Sequence, residues 1–147
     1  MKKAALPTLL MLIIFFVNAA LYAETLSEAK RKARNEGKAT VLYFFSKHCS
    51  YCRAMDHDVF DDKEISDTLK KDVVYLRVDV DKNPDVARTH DVWAYPTTLL
   101  LDNAGKRITQ IPGYVSKSDF RRILSYLKGK HYKTTGLGDF LRASDRQ

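Results

Sequence analysis

The chain has 147 residues, 45% hydrophobic and 29% charged, with 25 Lys and Arg against 18 Asp and Glu for a formal net charge of +7. That is enough for one compact domain with a real core. The basic excess concentrates after Lys117 without aromatic-basic interleaving or a nucleic-acid motif. This excludes nucleic acid as a partner and leaves a solvated basic face, an acidic protein or an anionic membrane surface.

The first residues read as a targeting segment. Lys2 and Lys3 precede an apolar stretch from Leu9 to Val17, and Asn18 to Ala23 supplies a polar break and small residues before Glu24. The pattern predicts a signal peptide over residues 1–23, cleaved after Ala23, and hence export to the periplasm. The alternative is an uncleaved membrane anchor, because Leu6 to Leu21 approaches the roughly 17 residues that span a bilayer. Cleavage leaves about 124 residues and a formal charge of about +5. Both cysteines lie in the body of the chain, so the leader offers no lipid-attachment cysteine.

Alternating elements follow. Thr25 and Glu28 form a capping box for a helix that runs to about Glu36 and stops at Gly37. Thr40 to Phe45, rich in β-branched and aromatic residues, reads as a buried strand, and Tyr51 to His57 contains no helix breaker. Asp61-Asp62-Lys63-Glu64 opens a further helical stretch, and Val73 to Val78 is a second strand. Asn83-Pro84-Asp85 starts a short helix that ends near His90. Thr97 to Leu101 and Arg107 to Ile111 form a hairpin across Asp102-Asn103-Ala104-Gly105. Ser116 caps a last helix with Phe120, Ile123, Leu124 and Leu127 on one face. The order is α, β, α, β, α, β, β, α. Domain bounds are expected at 24–130, with 131–147 a polar tail carrying a short helix near Asp139-Phe140-Leu141-Arg142.

Chemistry concentrates at Cys49 and Cys52, the only cysteines, spaced C-x-x-C where a strand meets a helix. A sulfur at a helix N-terminus meets unpaired N–H groups and the positive end of the helix dipole, and Lys47, His48 and Arg53 add positive charge. Cys49 is therefore the expected nucleophile. Cys52, one turn on along the same face, brings the α-carbons within the roughly 4.4–6.8 Å that a disulfide needs, and is the expected resolving thiol. His48, Cys49, Cys52 and His57 also offer two sulfurs and two nitrogens, a possible tetrahedral zinc set. His48 adjoins Cys49 on the wrong side for closure and no second cysteine pair exists, so neither a metal nor another cofactor is expected. Arg53 stands where a c-type haem attachment requires histidine.

These residues resemble the thioredoxin family. Cys49-Ser50-Tyr51-Cys52 follows a strand, Tyr95-Pro96-Thr97 stands about 44 residues later, and Leu99-Leu100-Leu101-Asp102, Gly105-Lys106 and Gly113-Tyr114 continue in that family's order, a likeness covering about Leu26 to Leu127. The segment Cys49 to Phe60 is similar to exported members of the SoxW kind and to the C-terminal domain of DsbD, and Tyr132 with Phe140-Leu141 is similar to the SoxW-like extension. The resemblance implies a thioredoxin-like three-layer α/β/α fold with a central mixed sheet of about four strands. It implies a cis peptide at Pro96, beside which an extended partner segment lies, with Tyr95, Trp93 and His48 bordering it. Trp93 and Tyr95 serve as rim or as core, and His48 as a tuner of Cys49 or as plain surface.

Two departures stand out. Tyr43 replaces the buried acid found six residues before the first cysteine in many thioredoxins, and His48 replaces a tryptophan. Asp56, one turn beyond Cys52, matches an acid of the DsbD-type domain and would take the proton from Cys52, or else is a surface carboxylate. The expected protein is an exported monomeric thiol–disulfide oxidoreductase that reduces partner disulfides and is re-reduced by a membrane electron donor of the DsbD type. An oxidase or isomerase, or a non-enzymatic binding module, is the alternative.

Overall fold

A computed structural model describes residues 25–146. The leader assignment over 1–23 lies outside the described residues. The first helix, α1, covers 25–36 and ends where Gly37 takes a φ of +62°, a left-handed conformation open to glycine, with the Lys38 N–H donating to the Ala33 carbonyl at 3.0 Å. Strand β1 (Thr40–Phe45) leads through a short loop to α2 (Ser50–Met55). A π-helical turn, Asp56–Phe60, then precedes α3 (Lys63–Lys71). The sequence reading did not anticipate this turn, and such turns tend to occur at functional sites. The chain continues through β2 (Val74–Asp79), α4 (Pro84–Thr89), β3 (Thr97–Leu101), β4 (Arg107–Pro112) and α5 (Lys117–Lys128). A 3-10 turn, His131–Lys133, and α6 (Leu137–Ser144) complete it.

The four strands form one mixed sheet in the order β2-β1-β3-β4, with β1 parallel to β2 and antiparallel to β3, and β3 antiparallel to β4. Helices cover both faces, giving the expected three-layer α/β/α architecture. The pleat sorts β1 between two cores. Val41 and Tyr43 face one cluster with Met55, Val59, Ile65, Leu69, Phe120 and Leu124, whereas Leu42 and Phe44 face another with Val78, Ala87, Val92 and Leu99. A strand buried on both faces reads as the unbroken apolar run Thr40 to Phe45 presents. Among the described residues no helix is long and apolar enough to cross a membrane.

The segment beyond residue 130, read from the sequence as a polar tail, packs onto the domain. Tyr132, Leu137 and Phe140 rest against the first core cluster, with the Phe140 ring 5.2 Å from Tyr126 and 4.8 Å from His131. The Tyr126 hydroxyl donates to the Thr135 carbonyl at 2.7 Å, and Arg122 reaches Asp119, Asp145 and the Leu141 carbonyl. Shortening Phe140 to alanine should lower the unfolding free energy by about 2 kcal/mol, less than a fully buried phenylalanine loses. Urea titration of F140A measures this, and unchanged stability would mean that the segment contributes nothing to the fold.

Candidate functional site

β1 ends one residue before the loop Ser46-Lys47-His48, and this loop determines where the first sulfur points. Asp81, just past β2, accepts from the Ser46 hydroxyl at 2.9 Å and from the Lys47 N–H at 2.9 Å. The His48 N–H donates to Ser46 Oγ at 3.2 Å, the Cys49 N–H to the Ser46 carbonyl at 3.2 Å, and Arg53 Nη1 to the Lys47 carbonyl at 3.2 Å. Cys49 then occupies the N-cap of α2, with extended backbone and its Sγ accepting from the Cys52 N–H at 3.1 Å. A sulfur so placed is stabilised as a thiolate, because the donor and the helix dipole both favour negative charge there.

Cys49 and Cys52 form a disulfide with α-carbons 5.2 Å apart. The two sulfurs differ in access, since Cys49 is half-buried and Cys52 is only 1% exposed. Opposite them the Tyr95–Pro96 peptide bond is cis, and Cys49 Sγ lies 3.4 Å from the Tyr95 carbonyl oxygen. Thr97 Oγ1 donates to the Ala94 carbonyl at 2.8 Å, and the Gly113 N–H donates to the Pro96 carbonyl at 2.7 Å. Gly113 adopts a φ of +93°, so the residue that ties β4 to the Pro96 loop is one with no Cβ to strain.

The exposed large apolar side chains among the described residues are Tyr51, Trp93, Tyr95 and Tyr114. All four sit on the dithiol helix, the Pro96 loop or the turn after Gly113. Trp93, at 75% exposure, is not part of the core. His48 is exposed beside Asp81. His57 turns to Asp58 at 2.9 Å, and Asp58 also accepts from the Tyr114 hydroxyl at 3.1 Å, which links the π turn to the loop after Gly113. Asp58 holds the His57 imidazole above its ordinary pKa, and His57, with Tyr114, holds the Asp58 carboxyl below its own.

Asp56 is no free surface carboxylate. It sits at the C-cap of α2, its N–H bonded to the Arg53 and Cys52 carbonyls, and its Oδ1 lies 2.7 Å from Arg77 Nη2. The Arg77 guanidinium packs over Tyr43, Phe45 and Phe60 at 5.3, 4.6 and 5.6 Å from their centroids. Tyr43, in the place of the absent acid, donates its hydroxyl to the Cys52 carbonyl at 3.4 Å. Burial, with the Asp56 charge adding to it, pushes that phenol far above its ordinary pKa, so Tyr43 stays a donor at neutral pH.

Sequence reasoning missed Asp81 and Arg77. The signal for Arg77 was a single cation inside the apolar run Val73 to Val78, and for Asp81 an acid two residues past that strand and just before Asn83-Pro84. The Asp81 carboxyl is held below the usual range, first by the Lys47 N–H and then by the Ser46 hydroxyl. A depressed folded-state pKa adds stability that is present above the ordinary carboxylate value of about 4 and is lost as pH falls toward the folded value. Asp81→Asn should therefore melt below the parent at pH 6, with the difference closing as pH drops below about 4. Thermal melts of both proteins across that range test it, and a pH-independent difference would refute a charge-based restraint.

Comparison with known proteins agrees with this geometry. The family described as thioredoxin-like domain matches residues 26–128. The thiol:disulfide interchange protein DsbD of Actinobacillus pleuropneumoniae is 27% identical over 111 residues, 71% of this chain and 19% of that protein. A solved thioredoxin-fold protein from Helicobacter pylori superimposes with a TM-score of 0.66 at 26% identity, covering 74% of this chain and 82% of that one. The C-terminal domain of Neisseria meningitidis DsbD shares the fold with a TM-score of 0.59 at 18% identity, covering 71% and 96%. The chain spans less than half the length of the curated fungal and Plasmodium berghei thioredoxins and of the DsbD that it matches. The chain belongs to the thioredoxin-like domain family, with Cys49–Cys52 as its C-x-x-C redox pair.

Proposed function

We propose that this protein is an exported thiol–disulfide oxidoreductase that reduces disulfides in partner proteins. The observation that carries the reading is the asymmetry of the pair. Cys49 is half-buried, caps α2 and lies 3.4 Å from the Tyr95 carbonyl beside Pro96, whereas Cys52 is buried beneath it. The Cys49 thiolate attacks a partner disulfide, releasing one partner thiolate and leaving a mixed disulfide in the groove. Cys52 then loses its proton to Asp56 and attacks Cys49 Sγ, and the second partner sulfur departs as a thiolate that takes up a proton. Two electrons pass to the partner and the Cys49–Cys52 disulfide remains. Trp93, Tyr95 and His48 border the bound segment, and the Tyr95 carbonyl beside Cys49 pairs with it.

Re-reduction is assigned to a membrane electron donor of the DsbD type, supported by the DsbD likeness and by the reading of residues 1–23 as a cleaved leader. The narrower kinship with the SoxW-like group rests on Cys49 to Phe60 and on Tyr132 with Phe140-Leu141. The mass of the protein recovered from the periplasm tests export. A mature N-terminus at Glu24 is expected, and retention of the full chain in the membrane fraction would favour the anchor.

One observation favours a second reading. The Cys52 N–H donates to Cys49 Sγ, with Lys47 and Arg53 nearby in the chain, and strong stabilisation of the thiolate would make the disulfide an oxidant or isomerase. The reduction potential separates the two. Equilibration with dithiothreitol or glutathione buffers should give about −270 mV, and a value above about −180 mV would overturn the reductase reading. In the same assay Cys52→Ser should trap the partner as a mixed disulfide, and Cys49→Ser should retain no turnover. Partner capture by C49S as strong as by the parent would instead favour a binding module.

A further inference from the structure

We infer that the end of the domain opposite the dithiol is a docking surface for an anionic phospholipid membrane, which leaves Cys49 facing away from the lipid. Strand register places this surface. Thr40, where β1 starts, pairs with Val74 at the start of β2 and with Leu101 at the end of β3, whereas the dithiol follows the far end of β1. At about 3.3 Å per residue, β1 holds the two ends about 20 Å apart. The C-terminal ends of α1, α3 and α5 meet at the Thr40 end. Lys128 Nζ of α5 lies 3.0 Å from Asp72 Oδ2 at the C-cap of α3, and Lys130 Nζ lies 3.8 Å from where a Cβ on Gly37, just past α1, would stand.

Cations are in excess at this end. Arg34, Lys70, Lys71, Lys106, Lys130 and Lys133 are exposed, and none of them is in an ion pair among the described residues. The carboxylates are engaged: Glu36 with Lys38, Asp72 with Lys128, Asp91 with Arg107, and Asp102 with the N–H groups of Ala104 and Lys106. Helix C-termini attract cations, which accounts for Arg34, Lys70 and Lys71. It does not account for Lys106 in the β3–β4 hairpin, or for Lys130 and Lys133 beyond α5. Lys130 adds an independent observation. It follows the C-cap of α5 with a φ of +54°, a left-handed position where glycine is the usual residue and a side chain costs stability. A lysine kept there serves a contact outside the fold.

The make-up of the surface selects lipid over protein. Protein interfaces are depleted in lysine and centre on aromatic or apolar anchors. Here all but one of the unpaired cations are lysines, and the exposed large apolar side chains of the described residues, Tyr51, Trp93, Tyr95 and Tyr114, lie at the dithiol end. A lysine is a compact charge on a flexible stem, suited to mobile anionic headgroups. Bound in this way, the protein turns its dithiol and aromatic side chains toward a partner in solution.

The test is co-sedimentation of the protein, in the form that cells make, with vesicles of phosphatidylglycerol in phosphatidylcholine. Binding is expected at low salt, with none to pure phosphatidylcholine and none at about 1 M salt, where charges are screened within about 3 Å. Each lysine near an anionic surface is worth about fivefold in partitioning, so K71Q/K130G/K133Q should bind about a hundredfold more weakly. K63Q/K82Q/K117Q removes the same charge at the dithiol end, where α3 and α5 start and β2 has ended, and should bind like the parent. Lys130→Gly alone should bind about fivefold more weakly and melt no lower than the parent. On vesicles, reduced Cys49 should react with 5,5′-dithiobis(2-nitrobenzoate) as fast as in solution. Equal weakening in the two triple variants would leave only net charge and overturn the inference. So would salt-resistant binding, which reports insertion of an apolar segment, protection of Cys49, which reverses the orientation, or destabilisation by K130G, which makes that lysine structural. Binding of polyglutamate without binding of vesicles would assign the surface to an acidic protein and overturn the choice of lipid.

Discussion

The hydrogen bond from the Cys52 N–H to Cys49 Sγ is the contact on which the site depends. It exists only because β1, buried on both faces, delivers the chain to the start of α2 at a fixed angle. It places the sulfur where four backbone N–H groups have no carbonyl partner inside the helix. Every other restraint near the dithiol serves that placement. Asp81 fixes the loop from below, Arg53 holds the Lys47 carbonyl, and the cis Pro96 loop offers the Tyr95 carbonyl from across the groove.

Charge is layered around this contact. The Cys52 N–H points at Cys49 Sγ, and at the far end of α2 the Asp56 carboxylate pairs with Arg77. The layering gives the two thiols different chemistry from one helical turn. The half-buried sulfur is favoured as an anion, and the other is shielded from solvent. Tyr43 lies in the central strand with its hydroxyl on the Cys52 carbonyl, and the carboxylate paired with Arg77 comes from the π turn. The extra backbone of that turn bridges α2 to α3 while holding Asp56 at the end of the active helix.

Much of the fold was legible because burial imposes short, regular periods. The strands Thr40 to Phe45 and Thr97 to Leu101 are short runs of threonine and large apolar residues, and the structure buries both on two faces. The capping serine at 116 and the apolar row Phe120, Ile123, Leu124 and Leu127 placed α5 from local rules alone. The π turn was not legible, since Asp56 to Phe60 has no Gly or Pro to mark it, and in the structure it carries Val59 and Phe60 onto the core. The docking of the last segment was hidden for a related reason. Its apolar residues Tyr132, Leu137 and Phe140 are too few to give a periodic signal, and they gain meaning only against Tyr126.

The sequence by itself determined the chemistry: two cysteines at a strand-to-helix junction, the proline loop that resembles a family, and the order of elements. These are local features, set by residue type and spacing, so no partner elsewhere in the chain is needed to read them. Only the tertiary structure decided what surrounds the sulfurs. Asp81 lies 34 residues from Lys47, Tyr95 lies 46 from Cys49, and Arg77 meets Asp56 only through the β1–β2 pairing. Contacts between distant residues depend on register and crossover geometry, which no local period encodes, and that is where the electrostatics of this site is written.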